Sequence, residues 1–379
     1  MKNRLLVFTD WYEPAIKAGG PVRSLVNFAN NLRDDYDLWI YTGDRDLGDQ
    51  HPYISFPLDQ WIEKADGTHV YYASQSNSGF RDIKKQVEYV KPYWIYLNSM
   101  FSLQFSIYPV LLRRFGKIRS RIVIAPRGML KESALRYKSR KKKFFLWLYR
   151  KLGLNKYLIF QATDSVEQED IKKQFGYDSN VVLIPNFPGI QKDFVPIPSK
   201  ESGVAHLIFV GRIHPVKNLL FLLEALKHVR THVTLTIVAA IEDFDYWQAC
   251  KAAIQSLPNH ISLNILEQVP HGQLEKILLD NHLFVLPTEG ENFGHAIFEA
   301  LAAGRPVLIS DQTPWKNLSS STAGWDLPLG DPKSFSGKID LVGSMSAFEL
   351  NEWCRGAYEF CTDYIRNLNL KEDYKKLFH

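Results

Sequence analysis

Short apolar runs alternate with amphipathic stretches of helical period along all 379 residues of the chain. Runs that are apolar on both faces and separated by such stretches predict parallel strands buried between layers of helices. We predict strands at residues 4–9, 37–41, 69–73, 93–98, 121–125, 157–163, 181–185, 206–211, 233–239, 261–266, 282–287 and 306–310. The predicted fold class is α/β, with two doubly wound, Rossmann-like domains facing across a cleft.

Residues 185–203 separate the two sets of strands. They contain four prolines and no periodic pattern, which is typical of a linker. We predict a domain at 1–186, a hinge at 187–203 and a second domain at 204–360. A C-terminal helix is predicted at 361–379, and in one possible arrangement this helix crosses back to the first domain. Ligands of such sheets bind beyond the C-terminal ends of the strands, so the site is expected in the cleft.

The composition is that of a globular protein, with 45% hydrophobic and 23% charged residues. No run reaches about 18 apolar residues, and the N-terminus enters a short strand without the core of a signal peptide, so a cytoplasmic enzyme is expected. Cys354 and Cys361 are seven positions apart in a predicted helix, roughly 10 Å along its axis, which is too far for a disulfide. The three cysteines have no zinc-ligand spacing.

The segment 288–306, TEGENFGHAIFEALAAGRP, joins a predicted strand to a predicted helix. Glu291 lies in the turn, and the helix begins near Gly294 and stops at Gly304, before Pro306. A helix N-terminus binds anions, and a carboxylate beside it is useful when the ligand also carries hydroxyls. A nucleotide sugar has both groups. Taken alone, Glu291 and Glu299 have an alternative interpretation as two surface acids.

Two other strand ends carry candidate ligand-binding residues. Arg212 and Lys217 flank the start of a predicted helix, where cations oppose the helix dipole and would need an external anion such as a pyrophosphate. A solvated basic turn is the alternative. Gly19 and Gly20 would let the backbone approach a ligand closely, although an ordinary loop fits them as well. The acidic pairs at 44–46 and 243–245 are interpreted as structural, so no metal site is expected.

The paired Arg212 and Lys217, followed by PTEGENFGHAIFEALAAGRPVL at 287–308, resemble the retaining glycosyltransferases of family 4, which have the GT-B fold. The likeness extends over nearly the full chain, from Pro14 and Gly19-Gly20 to AGWDLPLGD at 323–331. The resemblance implies sugar transfer from a nucleoside-diphosphate donor to a glycan or lipid-linked acceptor, without a metal or other cofactor. It also implies a role in bacterial cell-surface polysaccharide or glycolipid synthesis.

The resemblance also implies roles for individual residues. Arg212 and Lys217 would bind the donor diphosphate, Glu299 the ribose hydroxyls and Glu291 the donor sugar. The donor-binding set is Gly19, Gly20, Arg212, Lys217, Glu291, Asn292, Phe293, Gly294, His295, Ala296 and Glu299.

One position departs from the family pattern. Many members carry a histidine close to the transferred sugar, where this chain has Arg127 followed by Gly128. Arginine does not shuttle protons but can hold a phosphate or an acidic acceptor. We assign Arg127 to the catalytic set with Arg212, Lys217 and Glu291, and an arginine that packs the turn is the alternative. A sugar-nucleotide epimerase of similar fold and a non-catalytic binding subunit remain the alternative functions.

Residues 136–156 hold nine lysines or arginines and no acid. Since the chain has a net charge of +5 and this segment +9, the remainder carries −4, unlike the overall basic surface of a nucleic-acid-binding protein. Phe145, Leu148, Tyr149 and Leu152 recur at helical spacing, which predicts either a helix packed on the sheet or one lying on an anionic membrane, peripheral to its cytoplasmic face. The predicted membrane patch comprises Arg140, Lys141, Lys142, Lys143, Arg150 and Lys151.

Overall fold

The computed structural model describes residues 2–136, 139–267, 269 and 271–379. The chain forms two compact units, the first comprising Met1–Phe187 with Asn369–His379 and the second Pro188–Leu368. Tyr137 and Lys138 of the basic segment lie outside the described residues. Among those described, no helix is both long and apolar enough to cross a membrane.

The first unit is built on one sheet of strands and the helices that connect them. Its strands are β1 (Asn3–Phe8), β2 (Tyr36–Gly43), β3 (Trp61–Glu63), β4 (His69–Ala73), β5 (Trp94–Leu97), β6 (Arg121–Ile124), β7 (Leu158–Ala162) and β8 (Val181–Leu183). Its helices are α1 (Gly20–Leu32), α2 (Phe80–Val90), α3 (Tyr108–Arg114), α4 (Glu132–Arg136), α5 (Ser139–Lys151) and α6 (Ser165–Phe175), joined by the C-terminal α13 (Leu370–Leu377).

The second unit repeats this plan with a smaller sheet. Its strands are β9 (Val204–Ile213), β10 (His232–Ile241), β11 (Ile261–Leu266), β12 (Leu283–Leu286), β13 (Val307–Ser310) and β14 (Gly324–Leu327). Its helices are α7 (Leu219–Leu226), α8 (Phe244–Gln255), α9 (His271–Leu279), α10 (His295–Ala302), α11 (Pro332–Ser344) and α12 (Ala347–Arg366).

Both sheets have the strand order of doubly wound folds. The orders are β3-β4-β2-β1-β5-β6-β7-β8 in the first unit and β11-β10-β9-β12-β13-β14 in the second. Every described pairing is parallel except that of β3 with β4. The strand order therefore reverses between β1 and β5, and again between β9 and β12, and these are the switch points where doubly wound sheets bind ligands.

The predicted α/β class with two Rossmann-like domains is confirmed, and every predicted strand is present. β3 and β14 were not predicted. Both are short, and the sequence of β14, GWDL, contains a glycine and an acid between its apolar residues. Residues 184–203 contain neither helix nor strand. The predicted domain end at 360 falls inside α12, which continues to Arg366.

The last helix belongs to the core of the first unit. Tyr374 of α13 is fully enclosed, its ring lies 4.6 Å from that of Phe187, and Gln161 of β7 donates to its hydroxyl at 2.6 Å. Phe378, just after α13, packs edge-on against Phe28 and Trp94. Since these contacts replace water around large aromatic surfaces, they hold the C-terminus on the first unit.

Candidate functional site

The switch point of the second unit is closed by contacts between the two loops that follow β9 and β12. Thr288 Oγ1 donates to the carbonyl of Val216 at 2.9 Å, and the Glu289 amide donates to the same carbonyl at 2.8 Å. These bonds fix the loop after β9 against the loop after β12. The two motifs, one in each loop, therefore meet at one edge of one sheet.

An ion pair crosses this junction. Lys217, in the 3-10 turn Pro215–Lys217, donates from Nζ to a carboxylate oxygen of Glu291 in the loop before α10. The two side chains are only 16% and 12% exposed, so water screens their attraction weakly. Both groups nevertheless retain some accessible surface, which a ligand at the switch point would need.

Arg212 also has an acidic partner. It lies at the end of β9, and its Nη1 donates to Glu242 Oε2 at 2.7 Å, just after β10. Because each cation has its own carboxylate, the expectation that they need an external anion for charge balance is wrong. An ammonium has three N–H donors and a guanidinium five, so a single acidic partner leaves capacity for a phosphate.

His214 shapes the turn that carries Lys217. Its Nδ1 accepts from the Val216 amide at 3.2 Å, so the imidazole caps the 3-10 turn. Burial lowers the pKa of His214, Glu242 opposes that effect, and Arg212 and Lys217 lower the pKa further. The ring is therefore neutral at neutral pH, as its acceptor role requires.

The helix that starts beside Glu291 confirms the predicted strand–turn–helix arrangement. Gly294 caps α10 with φ +77°, and a Cβ there would lie 2.9 Å from Ile297 Cδ1 and 3.3 Å from Trp315 Nε1. The indole of Trp315, a residue the sequence analysis missed, donates to the Phe293 carbonyl at 2.6 Å. The Glu291 amide donates to the carbonyl of Gln312 at 3.2 Å. The backbone leading into the helix is therefore firmly held.

The other donor-binding residues predicted in this segment lie at or near the same helix start. Phe293 and Gly294 are buried. The half-buried members are Asn292, His295, Ala296 and Glu299. Glu299 is in the body of α10. The helix N-terminus offers N–H groups to partners outside the helix, which suits an anion.

Gly19 and Gly20 belong to the first unit, at the start of α1. Gly19 has φ +62°, a conformation that favours glycine, and its amide donates to the Ile16 carbonyl at 3.1 Å. Asp46 holds this loop, because its Oδ2 accepts from the amides of Ile16 and Lys17 at 2.6 and 2.9 Å. Its neighbour Asp44 pairs with Arg45. The interpretation of residues 44–46 as structural agrees with these contacts.

The other acidic pair is structural as well. Asp243 caps α8 by accepting from the Tyr246 amide at 2.9 Å. Asp245 lies in the first turn of the same helix, where an acid complements the dipole.

Arg127 lies after β6 with φ +56°. Its Nε donates to Asn98 Oδ1 at 2.8 Å and its Nη2 to the Tyr96 hydroxyl at 2.6 Å. These two bonds match the alternative in which Arg127 packs the turn.

Helix α5 divides the predicted apolar stripe between two faces. Phe145 packs on Phe101 at 5.2 Å and Tyr149 on Phe175 at 5.7 Å, so these two residues serve the core. The outer face instead carries Phe144 and Trp147, which are 63% and 47% exposed, with Leu148 and Leu152. The prediction of one common face was wrong, because the helix is apolar on two sides.

The predicted basic patch is divided as well. Lys142 donates to the Ala134 carbonyl at 2.7 Å and lies 5.4 Å from the Phe101 ring centre, so it faces the protein. Arg150 donates to the carbonyl of Gln174. Arg140, Lys141, Lys143 and Lys151 are exposed.

Residues 191–354 match the family model described as glycosyl transferases group 1. The matched segment makes up less than half of the chain. It contains both strands of the switch point and the full set Arg212, Lys217, Glu291 and Glu299. The matched segment thus coincides with most of the second unit.

Several known proteins are similar to this chain in sequence or in structure. The O-antigen chain mannosyltransferase RfbU of Salmonella typhimurium is 23% identical over 175 residues, which cover 46% of this chain and 48% of that protein. The chain thus aligns with about half the length of this curated relative. Anabaena HepE in complex with UDP and glucose has a TM-score of 0.70 at 15% identity, covering 99% of each chain. Sucrose-phosphate synthase from Thermosynechococcus elongatus has a TM-score of 0.74 at 14% identity, covering 100% and 98%. At these identities the two structures establish the fold.

Proposed function

We propose that this protein is a retaining glycosyltransferase, of the family 4 type, that moves a sugar from a nucleoside diphosphate to an acceptor hydroxyl. The observation that carries the proposal is the Lys217–Glu291 pair at the switch point of the second unit, within the segment that matches the glycosyl transferases group 1 model. A cation, a carboxylate and a helix N-terminus converge there, and they match the diphosphate and hydroxyls of a sugar nucleotide.

The residue roles follow from the chemistry of that ligand. Lys217 and Arg212 donate to the diphosphate, the first turn of α10 faces its oxygens, and Glu291 accepts from hydroxyls of the transferred sugar. Glu299 accepts from the ribose hydroxyls. Gly19 and Gly20 would let the backbone at the start of α1 approach a ligand closely.

The chemical task is stabilisation of the leaving group. As the bond from the sugar C1 to the phosphate oxygen breaks, its electron pair passes to the diphosphate, and the two cations and the helix dipole offset that charge. The acceptor oxygen forms the new bond on the same face of C1, and its proton passes to the departing phosphate oxygen. No metal is required, because protein cations take the part that magnesium or manganese would otherwise have.

Related proteins support a narrower choice of substrates. The HepE structure holds UDP and glucose, and the Salmonella relative is a mannosyltransferase of O-antigen chains. We therefore include UDP-glucose and GDP-mannose in any donor panel, and we propose a glycan or lipid-linked acceptor of cell-surface polysaccharide synthesis.

Glu299→Gln tests the donor site directly. A carboxylate that accepts two ribose hydroxyl bonds contributes about 1.5–3 kcal/mol for each, so the amide is expected to weaken nucleoside-diphosphate binding at least tenfold. The melting temperature should stay nearly unchanged, since the amide has the shape of the carboxylate and keeps the packing of this half-buried side chain. Isothermal titration calorimetry with UDP and GDP measures the affinity. Parent-like affinity would show that Glu299 does not bind the ribose.

We also propose that the outer face of α5 attaches the protein to an anionic membrane surface. The rings of Phe144 and Trp147 stack at 5.7 Å, and Lys151 lies 4.8 Å from the Trp147 ring centre. Exposed aromatic rings with flanking cations and no acid suit the interface of an anionic bilayer. Each cation contributes about 1 kcal/mol near such a surface.

Liposome co-sedimentation tests the attachment. The parent is expected to sediment with vesicles of phosphatidylglycerol and phosphatidylcholine at low salt, and less at moderate salt because the attraction is screened. Lys141→Glu with Lys143→Glu should abolish sedimentation without altering nucleotide affinity. Lys84→Glu with Lys85→Glu, on α2 of the same unit, is the matched control. The proposal would be contradicted if the parent and the Lys141/Lys143 variant sediment equally, or if neither sediments with the vesicles.

A further inference from the structure

The loop that follows β13 supports the loop that leads into α10. The carbonyl of Gln312 accepts from the Glu291 amide at 3.2 Å. Further along the same loop, the indole Nε1 of Trp315 donates to the Phe293 carbonyl at 2.6 Å. Both bonds join the segment after β13 to the segment before α10, and the second lies directly beside the start of that helix.

The supporting loop is itself held in place. The carboxylate of Asp326, in β14, accepts from the amides of Asn317 and Leu318 at 3.2 and 3.0 Å. Within the loop, Thr313 Oγ1 accepts from the Trp315 amide at 3.2 Å. The backbone of Trp315 is therefore fixed relative to the sheet of the second unit.

The side chain of Trp315 is only 3% exposed and lies between α10 and α12. Its ring centre is 5.5 Å from that of Phe293 and 6.2 Å from that of Phe298 in α10. On the side of α12, it is 4.9 Å from Tyr364 and 6.3 Å from Phe360. Because close packing leaves an indole one orientation, these rings fix the direction of its N–H group.

The indole reaches the Phe293 carbonyl because the next residue is a glycine. A Cβ at Gly294 would lie 3.3 Å from Trp315 Nε1. Gly294 also turns the chain into α10, with φ +77° and ψ 60°. The bond from Trp315 thus holds the backbone immediately before this turn, and the orientation of the first helical amides depends on it.

We infer that Trp315 positions the first turn of α10 for the donor diphosphate, and that Tyr364 of α12 supports it in this role. Both roles rest on the proposed function, whose donor site they deepen. Trp315 acts through the Phe293 carbonyl, so it is a positioning residue. N–H groups that bind a phosphate are most effective when their direction is fixed before the ligand arrives, because no reorganisation is then needed.

Trp315→Phe tests the hydrogen bond, because it keeps an aromatic ring but removes the N–H donor. Calorimetry with UDP and GDP is expected to show about tenfold weaker binding of the nucleotide that the parent prefers. The KM for the corresponding sugar nucleotide should rise by a similar factor. In the ligand-free protein, the amides of residues 291–297 should exchange with deuterium faster than in the parent.

Trp325→Phe is the matched control. Trp325 is a buried tryptophan of the same unit, 4% exposed, and its ring stacks on that of Trp353 in α12 at 4.2 Å. The substitution removes the same volume from the core, so it should lower the urea midpoint by a similar amount. Its nucleotide affinity and its exchange at 291–297 should stay within about twofold of the parent, since about one hydrogen bond's contribution is at stake only at Trp315.

Tyr364→Leu tests the support from α12 and decides the matter if Trp315→Phe does not fold. Loss of one aromatic pair should weaken nucleotide binding about threefold and increase deuterium exchange at 291–297. The control is Tyr358→Leu, because Tyr358 is also a half-buried tyrosine of α12 but packs on Phe194, at 5.5 Å. Its nucleotide affinity should equal that of the parent.

Parental nucleotide affinity in Trp315→Phe, or in Tyr364→Leu where Trp315→Phe does not fold, would overturn the positioning role while leaving glycosyl transfer intact. Equal loss of affinity in Trp315→Phe and Trp325→Phe would also overturn it, since it would show a general effect of core packing. A parent protein that neither binds nucleoside diphosphates nor turns over any donor would overturn the proposed function and the positioning role with it.

Discussion

Lys217→Ala is expected to lower kcat/KM for the sugar nucleotide by about 30-fold to several thousand-fold. Lys217 and Glu291 are largely shielded from water, so loss of the lysine removes the proposed diphosphate contact and also the ion pair with Glu291. Truncating one member of such a charge pair costs about 2–5 kcal/mol, and each 1.36 kcal/mol is a factor of ten. Initial rates of nucleotide release at varied donor concentration measure the effect.

The control for this variant is Lys227→Ala. Lys227 also forms a lysine–glutamate pair in the second unit, with Glu224, but both side chains are well exposed. Exposed pairs contribute little, so kcat/KM should stay within about twofold of the parent. A kcat/KM for Lys217→Ala equal to that of Lys227→Ala would contradict the assignment of Lys217 to the diphosphate.

Gly294→Ala is expected to destabilise the second unit and weaken donor binding together. The residue has φ +77°, and the added Cβ would meet Ile297 and Trp315 at 2.9 and 3.3 Å. A left-handed conformation at a non-glycine residue costs on the order of 1–3 kcal/mol, and relief of the contacts would shift the start of α10. Urea unfolding with calorimetric nucleotide binding measures both effects.

Gly330→Ala is the matched control for the strain. Gly330 lies in the same unit, is exposed, and a Cβ there would have no neighbour within 4 Å. Its substitution should leave both unfolding and affinity nearly unchanged. Should Gly294→Ala unfold at the parental urea concentration and bind the nucleotide normally, the tight turn at this helix start would have no role in the site.

The sequence predicted the sheets well because their strands are buried on both faces. Runs such as LLVF in β1 and LFVL in β12 have no polar position, so their apolar pattern alone identifies them. β3 is a three-residue antiparallel strand at the edge of its sheet, where little is buried. Its existence depends on pairing with β4, which no local pattern reveals.

The residues of the candidate site were predicted individually, but their ion-pair partners were not. Lys217 and Glu291 are 74 residues apart, and only the parallel alignment of β9 with β12 brings their loops together. Glu242 gave no signal, because its link to Arg212 depends on the register of β9 with β10. The apolar residues of α5 were predicted on one face but lie on two, for a related reason. Helical spacing identifies apolar positions but does not show which neighbour covers them.

The most direct test of glycosyl transfer is nucleotide release from a panel of UDP-, GDP- and dTDP-sugars, measured with and without octyl glycoside acceptors in the presence of EDTA. We predict that one donor releases its nucleoside diphosphate, that acceptor increases the rate, and that the glycoside gains one sugar with the anomeric configuration of the donor. Conversion of the donor to an epimer would instead indicate a sugar-nucleotide epimerase, and binding without turnover a non-catalytic subunit. Either result, or activity that EDTA abolishes and manganese restores, would contradict the metal-independent transfer mechanism derived from Arg212, Lys217 and Glu291.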